Sequence, residues 1–206
     1  MCMQYSPQYS LQNALRKDFF ERPTPEVAQD LIGTVLVRTL TDGTVLAGRI
    51  VETEAYLHEQ DAASHSYRGK TKRNEAMFGE AARLYVYRIY GIHYCANIVT
   101  ENVGRGAAVL LRAVEPLEGL EEMMRRRKTE QIRQLCNGPG KLAQAFDFTM
   151  EDNHQSLLHS SCCILPNTIQ QDIAVSPRIG ITKAANELLR FYLAGNEFVS
   201  RGRWKG

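Results

Sequence analysis

No stretch of this chain is apolar for long enough to span a bilayer. Its start, Met1-Cys-Met-Gln-Tyr-Ser-Pro7, lacks the basic and then apolar order of a secretory signal. A cytoplasmic protein with no membrane partner is expected. The five cysteines, Cys2, Cys95, Cys136, Cys162 and Cys163, are odd in number, include an adjacent pair and never fall at C-x-x-C spacing. That argues against a disulfide framework and a structural zinc, and fits a reducing compartment. The histidines, His58, His65, His93, His154 and His159, show no paired ligand spacing. Neither a P-loop nor G-x-G-x-x-G occurs, so a nucleotide cofactor is not indicated. No metal or cofactor is expected. Repeats, low-complexity tracts and composition breaks are missing too. With 206 residues, 44% hydrophobic and 23% charged, one domain over 1–206 is expected, its first 14 or so residues flexible.

What charge there is lies in clusters. The net charge of +2 says little about a polyanion partner, but Arg68, Lys70, Lys72 and Arg73 group together, as do Arg125–Lys128 and Arg201, Arg203 and Lys205. Each group suits phosphate contact or plain solvation. Glu118, Glu121 and Glu122 just upstream favour solvation for Arg125–Lys128.

A helix is expected over Ser10–Phe20 with Ser10 as N-cap, and a second opening at Thr24-Pro25 with Gly33 just past its end. Thr34–Arg38 and Thr44–Val51 read as strands joined through Asp42-Gly43, and the second runs on into Glu52–Tyr56. Residues 57–82 form a long loop, which in a compact domain usually carries function. Arg83–Ile89 and Tyr94–Thr100 read as strands meeting at Gly91, with Ala107–Val114 as an apolar third. A charged helix over Leu117–Leu135, entered at Pro116, and a turn at Asn137–Lys141 opening a helix over Leu142–Phe146 follow. Residues 147–175 are poorly patterned, and Ile179–Ile181 and Arg190–Leu193 read as late strands.

Four of the nine tyrosines fall between Tyr85 and Tyr94. A buried tyrosine needs a partner for its hydroxyl, so this many in one strand suggest flat surfaces for stacking. On the preceding strand Glu52, Glu54 and Tyr56 share a face, at about 6–7 Å per two-residue step. Carboxylates beside an aromatic box imply chemistry on a planar, electron-deficient group, with a nucleobase the leading candidate. Glu54 is the candidate general base, though Glu52 and Glu54 also read as solvated strand charges. Arg112, a charge inside the apolar Val109–Val114, must be paired if buried, and Glu54 is the obvious partner. That pair is equally a structural salt bridge or part of the catalytic set; Leu110 shares its face. His65 reads as a surface histidine or as a hydrogen-bond donor to a ligand held against Tyr56. Asn137-Gly-Pro-Gly-Lys141 offers backbone N–H groups and an ammonium for a phosphate, or is simply a turn. A glycosidase using Glu52 and Glu54 is an alternative, although two carboxylates on one strand cannot flank a bond. So is a module that stacks single-stranded nucleic acid without chemistry.

Taken in order, Gly48–Tyr56, Arg73-Asn-x-x-Met-Phe78, Leu84-Tyr-Val-Tyr-x-Ile-Tyr-Gly91, Cys95-x-Asn97 and Val109–Gly119 closely resemble the 3-methyladenine (alkyladenine, N-methylpurine) DNA glycosylases. Gly138–Leu142 and Leu189–Tyr192 fit the same pattern, so the resemblance covers roughly residues 15–200. It implies an α+β fold, a single mixed domain whose curved antiparallel sheet is surrounded by helices. It implies a monofunctional glycosylase that flips alkylated or deaminated purines out of duplex DNA and hydrolyses the N-glycosidic bond in base excision repair. Duplex DNA with damaged purines is the implied partner, and a nucleoid-associated monomer is expected. By this resemblance Glu54 activates water and Arg112 helps to hold water and carboxylate. Tyr56, His65, Tyr87 and Leu110 wall the base pocket, Asn97 crowds the amine of guanine, and Tyr90 is the wedge that fills the vacated stack. Arg73, Gly138, Gly140 and Lys141 fall at DNA phosphate contacts. Where relatives often carry proline or Pro-Gly, this chain has Lys72, Leu188 and Gly79-Glu-Ala-Ala-Arg83, all at loops or strand entries.

Overall fold

The computed structural model describes residues 9, 11–166 and 172–200. Most of the expected flexible lead-in, the cap residue Ser10, and Arg201, Arg203 and Lys205 lie outside the described residues. Within them, eight antiparallel strands form one curled sheet and four α-helices lie around it, an α+β fold of the expected class.

The sheet is organised around one long strand. β1 (Val35–Thr39) and β2 (Val45–Tyr56) form a hairpin whose turn carries Asp42 and a left-handed Gly43 at φ 89°, as the Asp-Gly signal predicts. β2 outruns its partner, so β1 covers its first half and β8 (Arg190–Leu193) covers Glu52–Glu54 on the same edge. Along the other edge runs β5 (Ala108–Glu118), then β4 (His93–Val99) and β3 (Leu84–Ile89). The β2–β5 ladder slips between Ala47 and Gly48, between Ile50 and Glu52, and between Glu52 and Thr53. Such bulges raise local twist, which curls the sheet.

The alternation of side chains divides the sheet into two faces. Leu84, Val86, Ala96, Ile98, Val109, Leu111 and Ala55 enter the main core with α2 (Thr24–Asp30). Thr53, on that same face, donates its hydroxyl to Ala28 O of α2 at 2.8 Å. The intervening residues, Tyr85, Tyr87, Cys95, Asn97, Leu110, Arg112, Glu54 and Tyr56, therefore point to the opposite, concave side.

Four expectations are corrected. Leu11–Asn13 is a 3₁₀ turn and only Lys17–Phe20 is α-helical (α1), because the Leu15 amide donates to Ile164 O at the sheet edge, 2.8 Å away. The helix expected from Pro116 starts later: β5 continues to Glu118, with Pro116 opposite Gly48 at a bulge, where its missing N–H is tolerated. The helix itself, α3, is only Leu120–Arg127, bounded by left-handed Gly119 and Lys128. Ile179–Ile181 is not a strand. The poorly patterned 147–175 region holds β6 (Cys162–Leu165), which pairs with β1, and the start of β7 (Ile173–Ser176), which pairs with β8. Cys162 and Cys163 sit on opposite faces of β6, in two different apolar clusters, which explains their adjacency without redox chemistry.

Gly119 turns β5 into α3 at φ 77°, and an added Cβ would lie 2.5 Å from Leu46 Cδ2 and 2.6 Å from Val45 O. Gly119→Ala therefore combines backbone strain with a clash and should cost about 2–4 kcal/mol in urea unfolding. A cost below about 1 kcal/mol would mean that this junction relaxes freely.

Candidate active site

The pairing register aligns one transverse row across the sheet. Tyr85 opposes Asn97, Asn97 opposes Leu110, Leu110 opposes Glu54, and Glu54 opposes Arg190. Directly paired residues share a face, so all five side chains stand on the concave side, one strand spacing apart. Tyr87 and Cys95 form the next pair along. Above them lies a cavity of about 360 Å³ lined by Tyr56, His65, Tyr87, Tyr90, Asn97, Leu110 and Arg112. The structure thus brings together seven of the residues singled out from the sequence, and adds Tyr85, Cys95 and Ile179 to the same wall.

Glu54 is fully buried and does not itself line the cavity, but it contacts three residues that do, Tyr56, Ile179 and Arg112. Its Oε1 accepts from the Ile179 amide at 2.7 Å and lies 3.3 Å from Arg112 Nη1; its Oε2 accepts from the Tyr56 hydroxyl at 2.8 Å. Burial, followed by the Glu54 charge, pushes the Tyr56 phenol well above the ordinary tyrosine range, so it stays a protonated donor. Each carboxylate oxygen offers two lone pairs. Oε1 is occupied by two donors and Oε2 by one, which leaves Oε2 an acceptor site beside the cavity-lining Tyr56.

Glu52 has a different task. Also fully buried, it accepts from Arg112 Nε (2.9 Å), Arg190 Nε (2.6 Å), the Ser200 amide (2.7 Å) and the Ser200 hydroxyl (2.9 Å). Three of these donors crowd Oε1 and the fourth reaches Oε2, and the side chain is fully enclosed. Arg112 is thereby shared between both carboxylates, one guanidinium edge to each, so the salt-bridge reading and the site reading of Arg112 describe the same contacts. The solvated-strand reading of Glu52 and Glu54 fails on burial.

The aromatic wall is held by its own contacts. His65 Nδ1 lies 2.9 Å from the Tyr85 hydroxyl, and its ring meets Tyr87 edge-on at 4.6 Å. Partial burial and then the Arg73 charge lower the His65 pKa, which favours a neutral imidazole able to donate from one nitrogen. Burial pushes the Tyr85 hydroxyl up to about 12 and raises Tyr87 further, so both phenols stay neutral. Asn97 donates Nδ2 to Tyr85 O at 2.9 Å while lining the cavity. It both ties the hairpin and limits the pocket.

Tyr90, Gly91 and Ile92 join β3 to β4, with φ of 51° and 72° at the first two, and the Ile92 amide donates to Ile89 O, a turn at the place where the two strands are expected to meet. A left-handed tyrosine is sterically costly. This one is 86% exposed at the cavity rim, with Ile92 at 73% beside it.

The candidate phosphate contacts do not line the cavity directly. Arg68, Lys70, Lys72 and Arg73 are exposed on the long loop, and Arg73 is close enough to act on His65 and Tyr85. Gly138 precedes α4 (Pro139–Ala145), whose Pro139 touches the cavity; Gly140 packs against His93, and Lys141 Nζ bonds back to Asn137 Oδ1 at 2.8 Å. Arg125, Arg126 and Arg127 are used within the protein, on Glu122, Asp147, Leu135 O and Gln144. Among the described residues, no helix is long and apolar enough to cross a membrane.

A tyrosine-walled cavity over a charge-paired carboxylate has the build of an enzyme site that accepts a flat group. The family model described as methylpurine-DNA glycosylase (MPG) matches residues 18–197, and the chain belongs to that DNA glycosylase family. It is 50% identical over 188 residues to a protein of Methanoculleus marisnigri, covering 89% of this chain and 96% of that one. A protein of Chlorobium phaeobacteroides is 48% identical (90% and 94% covered), and one of Chlorobaculum parvum 47% (92% and 91%). All three bear the name "Putative 3-methyladenine DNA glycosylase".

Glu52→Gln would leave Arg112 and Arg190 without their shared anion. Breaking such a buried pair should cost about 3–5 kcal/mol in urea unfolding. A loss no larger than the roughly 1 kcal/mol of an exposed ion pair would show that the network is not held as described.

Proposed function

We propose that this protein removes alkylated and deaminated purines from duplex DNA by hydrolysing the N-glycosidic bond, as a monomer and without a cofactor. The transverse row carries the reading, because it sets a buried, oriented carboxylate beside a tyrosine-lined cavity of base size. The relatives' shared name, with its 3-methyladenine, supports the same substrate class.

In this reading the damaged nucleotide leaves the stack and enters the cavity, at a cost of a few kcal/mol that damaged pairs reduce. Tyr90, already exposed at its turn, enters the gap. The base packs between Tyr56, His65 and Tyr87, where a positive charge from alkylation is attracted to the ring faces. Such a base is already a good leaving group, so the main demand is for a nucleophile. A water on the remaining acceptor site of Glu54 Oε2 gives up its proton to the carboxylate as it attacks C1′ of the sugar. Arg112 and the Ile179 amide keep the carboxylate in position. Asn97, tied to Tyr85 O, cannot swing aside, so it crowds the exocyclic amine of guanine. Arg73 and the Gly138–Lys141 turn are placed to meet the phosphate backbone. Among the described residues no lysine lines the cavity, which supports hydrolysis without a lyase step.

Glu54→Gln should retain binding to a 3-methyladenine or hypoxanthine duplex while single-turnover excision falls ~10²–10⁴-fold, since the amide cannot accept the proton of water. Excision within threefold or so of the wild type would remove Glu54 from the role.

Tyr90→Ala should weaken binding to a lesion in duplex DNA by about 1–3 kcal/mol, the worth of one stacked base, and leave a single-stranded lesion nearly unaffected. Equal losses on both would make Tyr90 a pocket residue instead of a wedge.

A further inference from the structure

Residues 177–189 close one side of the cavity with Ile179, Gly180 and Ile181, yet they form no helix or strand. One side chain anchors this segment at depth. Arg178 is 3% exposed overall, its side chain fully buried. Its Nη1 donates to Ala55 O at 2.9 Å, and both Nη atoms grip the two oxygens of Asp61, Nη2 to Oδ1 at 2.7 Å. Its guanidinium carbon stands 4.7 Å from the Tyr56 ring centroid. Asp61 belongs to the other cavity loop, where it also accepts from the Leu57 amide (3.1 Å) and the Ala63 amide (3.0 Å). Ala63 and His65 line the cavity four residues or fewer beyond it.

We propose that Arg178 is a positioning residue for the glycosidic chemistry, and that the Asp61–Arg178 pair is the clasp that sets the reactive geometry. The inference rests on the function proposed above. Two of the three donors to Glu54 hang from this clasp. The Ile179 amide is one residue from Arg178, and the Tyr56 ring lies against its guanidinium. The bidentate fork fixes the direction as well as the distance of both loops. A point charge on a flexible stem cannot do this. The third donor, Arg112, is held independently by Glu52. Loss of the clasp should therefore leave the site assembled and the base bound while Glu54 loses its aim. Misplacement of a catalytic group by about 1 Å costs on the order of 10²-fold in rate.

The test is single-turnover excision of 3-methyladenine and hypoxanthine from duplex DNA by the full chain, with enzyme in excess. The rate constant then reports the chemistry of folded molecules, and the amplitude reports how many are folded. For Arg178→Gln we expect a rate constant lower by about 10²-fold with lesion-duplex affinity within about fivefold. Arg178→Lys should recover only part of the loss, because it restores the charge without the fork. Asp61→Asn/Arg178→Gln removes both buried charges and so separates the clasp from the penalty of an unpaired ion; it should be as slow as the single variant. A reduced amplitude with a rate constant within threefold of the wild type, in Arg178→Gln or in the double variant, would mark the pair as structural only and overturn the proposal. Full recovery by Arg178→Lys would overturn the fork. If the wild type itself releases no base from either duplex, the functional reading fails, and the proposal with it. An active wild type with unaffected variants overturns the proposal alone.

Discussion

Two carboxylates buried side by side on one strand are what the rest of the site must answer to. Glu52 and Glu54 are both fully inaccessible, and an unpaired buried charge is not tolerated. Arg112 on β5 meets both, Arg190 on β8 meets Glu52, and the chain near Ser200 comes back to donate two hydrogen bonds. Charge balance thus fixes which strands flank β2 and where Ser200 lies. The division of labour follows. Glu52, held by two arginines and Ser200, is spent on structure; Glu54 keeps acceptor capacity on Oε2, the oxygen bonded to the cavity-lining Tyr56.

The strands supply precision and the loops supply closure. Tyr85, Asn97, Leu110 and Glu54 are set by ladder register, so a one-residue slip of any strand would send its side chain into the core face. The loop over 57–82 is irregular but internally tied: Asn74 donates to His65 O and Gly69 O, and accepts from the Thr71 amide. With the 3₁₀ turn at Glu75–Phe78, these bonds hold His65 against Tyr85 and Tyr87. At the β3–β4 tip the left-handed Tyr90 carries backbone strain and exposes its ring.

Most of this was legible where the chemistry is local. Asp42-Gly43 and Tyr90-Gly91 announced their turns, the period of two announced the shared face of Glu52, Glu54 and Tyr56, and an arginine in an apolar strand announced a buried partner. What could not be read depends on distant pairing. Pro116 reads as a helix entry until Gly48 is seen opposite it; Leu15 reads as helical until its amide finds Ile164. Charge spacing in Leu117–Leu135 suits a long helix, but left-handed Lys128 ends it after two turns. Arg178 stands just before Ile179–Ile181, which reads as a strand, and 117 residues from Asp61, so no local signal could have paired them. Arg190 was visible as part of a motif, but not as the second partner of Glu52.

The geometry also weighs the alternatives. A glycosidase with Glu52 as the second carboxyl would need a free acid opposite the first, and Glu52 is fully buried on the same strand and tied up by two arginines and Ser200. A stacking module for single strands meets one objection in Glu54, whose charge would repel phosphate. That reason weakens, since Arg112 offsets the charge of Glu54. A different one replaces it. Stacking modules lay successive bases on an open groove, whereas here the tyrosines converge from two strands and a loop on a cavity of about 360 Å³. Such an enclosure selects one base at a time, and three of its lining residues, Tyr56, Ile179 and Arg112, hold the orientation of one buried carboxylate.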